Sequence, residues 1–321
     1  MKNRITDNIS VRGFSHVRAN IECQDSSLCW QTDTYSAAIV CDGHGGEKYI
    51  RSAIGSRSAC EAGKERIGEF MQKIYCHRRE ERGINPRTIE WWLLKEHNYD
   101  RMLCQLERSV IQDWTNRVLA HAEQHPLEED ERFAALSDAD RHALTVTPVK
   151  AYGSTFIAAV VTDSFCFVLK LGDGNAVLIR NDGPLEMPEE LADDALQFNV
   201  TTSLCNSDAD MAFRHCFRSF EESAPVTGVV LSSDGIINCY TRPEAFSAFI
   251  QNVYAAYGEE DTDAARDELE AALHQLSEKG SGDDMSVAIV RVCESPAMIE
   301  VSDEMTDPDE CSKPSVPEEK P

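Results

Sequence analysis

Four times, at points far apart in the chain, an apolar strand or a helix runs out and an aspartate stands at its end. The places are Ile39-Val40-Cys41-Asp42-Gly43, Leu169-Lys170-Leu171-Gly172-Asp173-Gly174, Leu231-Ser232-Ser233-Asp234-Gly235 and Gly280-Ser281-Gly282-Asp283-Asp284. Short apolar runs bounded by Gly and Asp read as buried strands. Central strands of one core can bring their ends together, so this pattern predicts a strand-built fold with carboxylates gathered along one edge. One Asp-Gly pair needs no more than a turn, and Gly172-Asp173-Gly174, between two apolar runs, reads as a hairpin turn. Several aspartates at one edge would repel each other unless a cation lay between them. Mg²⁺ or Mn²⁺ suits such an all-oxygen set. Two such ions about 3.5–4 Å apart can activate a water for attack on phosphorus. A fifth acid, Asp25, follows Cys23-Gln24.

Charge points the same way. The 321 residues carry 56 acids against 31 Lys and Arg, a formal charge of −25. Nucleic-acid binding needs a basic face that replaces counterions on phosphate, and anionic membranes demand the same, so neither is expected as a partner. No apolar run approaches the roughly 20 residues of a membrane span. The N-terminus lacks an apolar signal core, which predicts a cytoplasmic protein. Twelve cysteines contain no C-x-x-C pair. They read as small buried hydrophobes in a reducing compartment.

Strands are expected around Ile9–Phe14, Tyr35–Cys41, Ser154–Val161, Ser164–Leu171, Ala176–Arg180, Gly228–Ser232 and Met285–Val292. Helices are expected over Gly45–Gly63, Pro243–Tyr257 and Asp263–Lys279. A further amphipathic helix carries Leu103, Leu106, Val110, Trp114 and Val118 at three- and four-residue steps and ends near His125-Pro126. Residues 64–148 form a long helical excursion, in which the acidic stretch 127–143 reads as a weakly ordered connection. Residues 182–226 read as a loop. Residues 294–321 hold nine acids against two lysines and read as a disordered acidic tail. Strands at both ends of the chain predict one domain over residues 1–293.

Asp42-Gly43-His44-Gly45-Gly46 is the sharpest motif. Glycines beside the acid let backbone approach a metal and leave its carbonyl free to coordinate. A string of this kind arises by chance in such a chain on the order of once in ten thousand. The chain resembles the metal-dependent protein phosphatases of the type 2C class. The matching pieces run in family order: Arg18 before Gln24-Asp25, then Asp42-Gly43-His44-Gly45-Gly46, Gly153-Ser154-Thr155, Gly172-Asp173-Gly174, Ser233-Asp234-Gly235 and Gly282-Asp283-Asp284-Met285-Ser286.

The resemblance implies an α+β fold: a four-layer α-β-β-α sandwich with two central antiparallel sheets. It implies a serine/threonine protein phosphatase that depends on Mn²⁺ or Mg²⁺, with two metals and a third, weaker site. A metal-bridging hydroxide would attack the phosphorus of phosphoserine or phosphothreonine. Carried over by motif, Asp42 bridges two metals and the Gly43 carbonyl binds one. Asp234 and Asp283 complete one shell, Asp25 acts through metal-bound water, and Asp173 belongs to the third site. His44 matches the general acid and Arg18 the phosphate-holding arginine, with Arg12 as its rival. The chain departs from the family in having Gln24 where Glu is usual, and in two extra residues between Arg18 and that pair. The 182–226 loop lies where the family carries a flap beside the active site. Phosphorylated proteins are the expected partners, with a serine/threonine kinase opposing and the chain acting as a monomer. A pseudophosphatase of the same fold, used as a binding or scaffold module, is the alternative.

Overall fold

The computed structural model describes residues 3–76, 98–180, 185–192, 201–258 and 261–293. Its strands are β1 (Asn3–Val11), β2 (Ser26–Gln31), β3 (Tyr35–Cys41), β4 (Phe156–Thr162), β5 (Phe165–Leu171), β6 (Asn175–Ile179), β7 (Arg214–Ser219), β8 (Gly228–Ser232) and β9 (Met285–Cys293). They form two antiparallel sheets, β1-β9-β8-β6 and β2-β3-β4-β5-β7. The expected α+β architecture is present. The first and last described strands pair along their whole length, from Asn3 opposite Cys293 to Val11 opposite Met285.

Helices cover the outer faces. Among the described residues they are α1 (Phe14–Ala19), α2 (Ser52–Cys76), α3 (Tyr99–Gln124), α4 (Glu131–Ala135), α5 (Asp138–Val146), α6 (Ala209–Ala212), α7 (Asp234–Ile237), α8 (Pro243–Ala256) and α9 (Thr262–Lys279). Strand side chains alternate between faces, and each face packs on a different layer. Phe156, Ala158 and Val160 of β4 meet Ile67 and Met71 of α2 and Leu103, Val110 and Trp114 of α3. Ile157, Ala159 and Val161 turn the other way, into the core shared with Ala288 and Val290 of β9. Val287 and Ile289 of β9 then face Phe246 and Ile250 of α8 and Leu269 and Leu273 of α9. Three cores thus separate four layers.

Several local expectations are corrected. Gly172-Asp173-Gly174 is no hairpin: β5 pairs with β4 and β7, while β6 pairs with β8, so the tripeptide carries the chain from one sheet to the other. Gly172 adopts φ +104°, and a Cβ there would lie 2.5 Å from Thr155 Cγ2, so both conformation and space demand glycine. The stretch 127–143 is ordered. Asp130 caps α4 by accepting from the Arg132 N–H at 2.9 Å, and Ser137 caps α5 by accepting from Asp140 N–H at 3.1 Å. Phe133 and Leu144 are buried beneath those helices. Within 182–226 stand β7 and α6, which the loop reading missed. The first strand ends at Val11 rather than Phe14, and α2 starts at Ser52 rather than Gly45. β2 was not anticipated, because Ser-Ser-Leu-Cys-Trp-Gln carries neither clean alternation nor an apolar run. The 294–321 tail lies outside the described residues, as do parts of the 64–148 and 182–226 segments.

Candidate active site

Register brings the strand-end carboxylates to one edge. Ser26 of β2 sits opposite Cys41 of β3, which sets Asp25 beside Asp42. The Asp42 N–H donates to Thr155 Oγ1 at 2.9 Å, and the Thr155 N–H donates to the Asp42 carbonyl at 2.8 Å. Leu171 of β5 lies opposite Phe156 of β4, so Asp173 follows at the same edge. In the second sheet Ser232 of β8 faces both Asn175 of β6 and Val287 of β9. Asp234 leaves β8 and Asp283 enters β9 there. The two sheets touch at this edge: a Cβ on Gly174 would lie 2.7 Å from the Ser232 carbonyl oxygen and 2.6 Å from Ile157 Cδ1.

The cost of gathering these acids is visible in their proton affinities. Burial, then the charges of Asp25 and Asp234, holds the Asp42 carboxyl well above the usual carboxylate range. Burial, then the charge of Asp284, does the same to Asp25. Burial and Asp173 raise Asp234, and burial chiefly raises Asp283. Asp42 and Asp234, from different sheets, hydrogen-bond each other, an interaction that raises the first and lowers the second. Carboxylates brought this close repel each other unless a cation lies between them. Two further oxygens are buried without a partner, Asp25 Oδ2 and Gln24 Oε1. Crowded carboxylates and orphaned buried oxygens are the donor set of a hard divalent cation, so the residues present fit one.

Supporting groups hold each acid. Ser233 and Ser286 stand beside Asp25 and lower its proton affinity, Asp234 Oδ2 accepts from Asn238 Nδ2 at 3.0 Å, and Asp173 Oδ2 accepts from Thr201 Oγ1 at 2.6 Å. Thr202 Oγ1 accepts from the Gly172 N–H at 2.9 Å, and Ser203 Oγ from the Ser154 N–H at 3.2 Å. Thr201-Thr202-Ser203 carries no motif in the sequence, and the structure makes it the brace of the Asp173 turn. Asp284 was also missed. It is buried and accepts at 2.6 Å from both the Gly13 and Gln24 N–H groups, with His16 Nδ1 at 3.0 Å. It thereby pins both ends of the segment that leads into Asp25. Its only sequence signal is the second aspartate of Gly282-Asp283-Asp284.

Gly43 has no room for a side chain: a Cβ would stand 2.5 Å from the Gln24 carbonyl and 2.8 Å from that of Ser52. It bridges Ser154, with ladder bonds from Thr155 N–H to Asp42 O and from His44 N–H to Gly153 O. Neither bond uses the Gly43 carbonyl. His44 packs on the Tyr49 ring with centroids 4.8 Å apart. Burial lowers its proton affinity, and Asp173 partly restores it. Arg18 is exposed on α1, its guanidinium 5.9 Å from the Phe14 ring centre. Arg12 is half-buried just past β1; it donates to the His16 carbonyl at 3.0 Å and keeps a buried, unpartnered Nε.

The profile of the protein phosphatase 2C family matches residues 12–274, spanning every one of these acids except Asp283 and Asp284. The chain belongs to the protein phosphatase 2C family. At family level it is a serine/threonine protein phosphatase, with phosphoproteins as its substrate class. Solved structures share the fold at low identity. A bacterial serine phosphatase is 15% identical over 92% of this chain and 100% of its own, with a TM-score of 0.52. Stp1 from Staphylococcus aureus is 15% identical over 92% and 96%, with a TM-score of 0.51. PppA of Pseudomonas aeruginosa is 14% identical over 91% and 99%, with a TM-score of 0.52. No curated protein matches the chain significantly. Among the described residues, no helix is long and apolar enough to cross a membrane.

Proposed function

We propose that this phosphatase 2C chain is an active, Mn²⁺- or Mg²⁺-dependent enzyme that hydrolyses phosphoserine and phosphothreonine in proteins. The observation that carries the reading is the convergence of Asp42 and Asp234, contributed by different sheets, at the edge where Asp25 Oδ2 and Gln24 Oε1 are buried without a partner. A fold does not keep such a pair, with Asp25, Asp173 and Asp283 around it, for stability. Asp42, Asp234, Asp283 and the Gly43 carbonyl would hold two divalent cations, Asp25 would act through an intervening water, and Asp173, held by Thr201, would serve a third, weaker position. When bound, the cations would neutralise the carboxylates and lower the pKa of water to supply the nucleophile.

The remaining steps belong to the chain's own side chains. His44, beside the acids and backed by Tyr49, would give a proton from its imidazole to the departing seryl or threonyl oxygen. An arginine would offer its planar fork to the phosphate oxygens; Arg18 holds the matching sequence position, and Arg12 is the more buried of the two. A kinase acting on the same serines and threonines would oppose the enzyme, working as a cytoplasmic monomer. The test is release of phosphate from a phosphothreonine peptide with and without Mn²⁺. Asp42→Ala and Asp234→Ala should each abolish it with folding intact; wild-type rates in either variant would sink the assignment. Mn²⁺-independence together with inactivity of the wild type would favour a binding module.

A further inference from the structure

At the β7 edge of the β2-β3-β4-β5-β7 sheet stands a cluster of different chemistry. Among the described residues, Cys104, Glu107 and His215 form a group whose ligand atoms all lie within 4.8 Å of one another. Cys104 and Glu107 project from α3, with Asp100 one turn earlier at i, i+4 and i+7 spacing, so all three share a helix face. His215 stands opposite on β7, the edge strand of its sheet. Its Nδ1 lies 2.7 Å from Glu107 Oε1 and its Nε2 lies 3.3 Å from Asp100 Oδ1. The stacked rings of Tyr99 and Phe217, 4.7 Å apart and 7° from parallel, fix the start of α3 over β7. Glu107 is only 3% exposed, and a carboxylate that deep requires a compensating positive charge, which a protonated His215 or a bound cation supplies.

We propose that Cys104 Sγ, the Glu107 carboxylate and His215 Nδ1 bind a zinc-class divalent cation that clamps α3 to β7. Sulfur, imidazole and carboxylate donors together select a borderline-soft ion, whereas the all-oxygen edge of the active site selects Mn²⁺ or Mg²⁺. Asp100, largely exposed, takes the His215 Nε2–H and so orients the ring, as carboxylates do behind ligating histidines. Solvent completes the fourth position. On binding, the thiol proton and the proton held between His215 and Glu107 leave, and the cation replaces them. The clamp is structural: His215 pairs with Leu169, four residues before Asp173, and touches no acid of the active site.

Titration of the full chain with Co²⁺, in an Asp42→Asn/Asp234→Asn background that weakens the other site, tests this. The expected result is one equivalent of tightly bound Co²⁺ with a sulfur-to-cobalt charge-transfer band, displaced by Zn²⁺. Cys104→Ser should lose the band, and Asp100→Ala should weaken binding about 10- to 100-fold. His215→Gln provides a second loss arm, and circular dichroism verifies that each variant is folded. No band in the parent, or a band that survives in Cys104→Ser or His215→Gln, would overturn the proposal and leave the cluster a histidine–carboxylate ion pair.

Discussion

Asp42→Asn should make the metal-free protein more stable while destroying its function. In the wild type Asp42 stands half-buried among Asp25, Asp173 and Asp234, and its carboxyl is held above the ordinary range by desolvation and then by the Asp25 and Asp234 charges. Asparagine removes one charge yet keeps a donor for the Asp234 carboxylate. Two like charges about 4 Å apart repel by about 4 kcal/mol at an effective dielectric of about 20. Protonation of the wild type relieves part of this, so the gain should be about 2–4 kcal/mol at neutral pH. At about 2 °C per kcal/mol for a chain of this size, the melting temperature in chelator should rise about 4–8 °C. The sign with pH follows from the raised proton affinity. Protonated Asp42 costs nothing below its unfolded pKa of about 3.9, and stability is lost as pH rises through its higher folded value. The gap between variant and wild type should therefore open upward from about pH 4. Saturating Mn²⁺ should close it: ligand at 100 times its Kd adds about 2.7 kcal/mol to the wild type, and much less to the variant. Differential scanning fluorimetry with EDTA or Mn²⁺ across pH measures all of this. An Asp42→Asn protein that melts at or below the wild type in EDTA would refute the idea that electrostatic strain marks this site.

Two further outcomes follow from the geometry. His44→Ala should lower turnover about 100-fold or more on a phosphoserine peptide and under tenfold on an aryl phosphate, whose leaving group needs little protonation; equal losses in steady-state assays would remove the general-acid role. Asp284→Ala breaks two short bonds from backbone N–H groups, at 2.6 Å each, and strands those donors in the interior. It should cost about 3–5 kcal/mol, read as an earlier urea midpoint, and an unchanged midpoint would show that the Gly13–Gln24 segment needs no anchor.

What was legible in the sequence was what is local. Phe156–Thr162 and Phe165–Leu171 are continuous apolar runs because both faces of those strands are buried, and such runs announce themselves. The α3 stripe from Leu103 to Val118 was readable for the same reason. β2 was not: its residues are all partly exposed, so no periodic burial marked it, and only pairing with β3 makes it a strand. The Gly172-Asp173-Gly174 turn was misread because local chemistry cannot say which strand comes next in a sheet. Asp-Gly favours a turn equally well whether the chain folds back or crosses over.

The same division runs through the site. Each acid carries its own local mark, a glycine or a second aspartate at a strand end, and could be named from the chain alone. The groups that hold the acids in place carry none. Thr201 reaches Asp173 across 28 positions, and Asp284 reaches Gly13 across 271. Those partners are ordinary serines, threonines and backbone amides, chosen by the register of two sheets rather than by their neighbours in sequence. The excess of 56 acids over 31 bases pointed to cations without saying where. The answer lies in where the charge cannot be left alone: at one sheet edge, where Asp42 and Asp234 come together from different sheets and each is held above the usual carboxylate range.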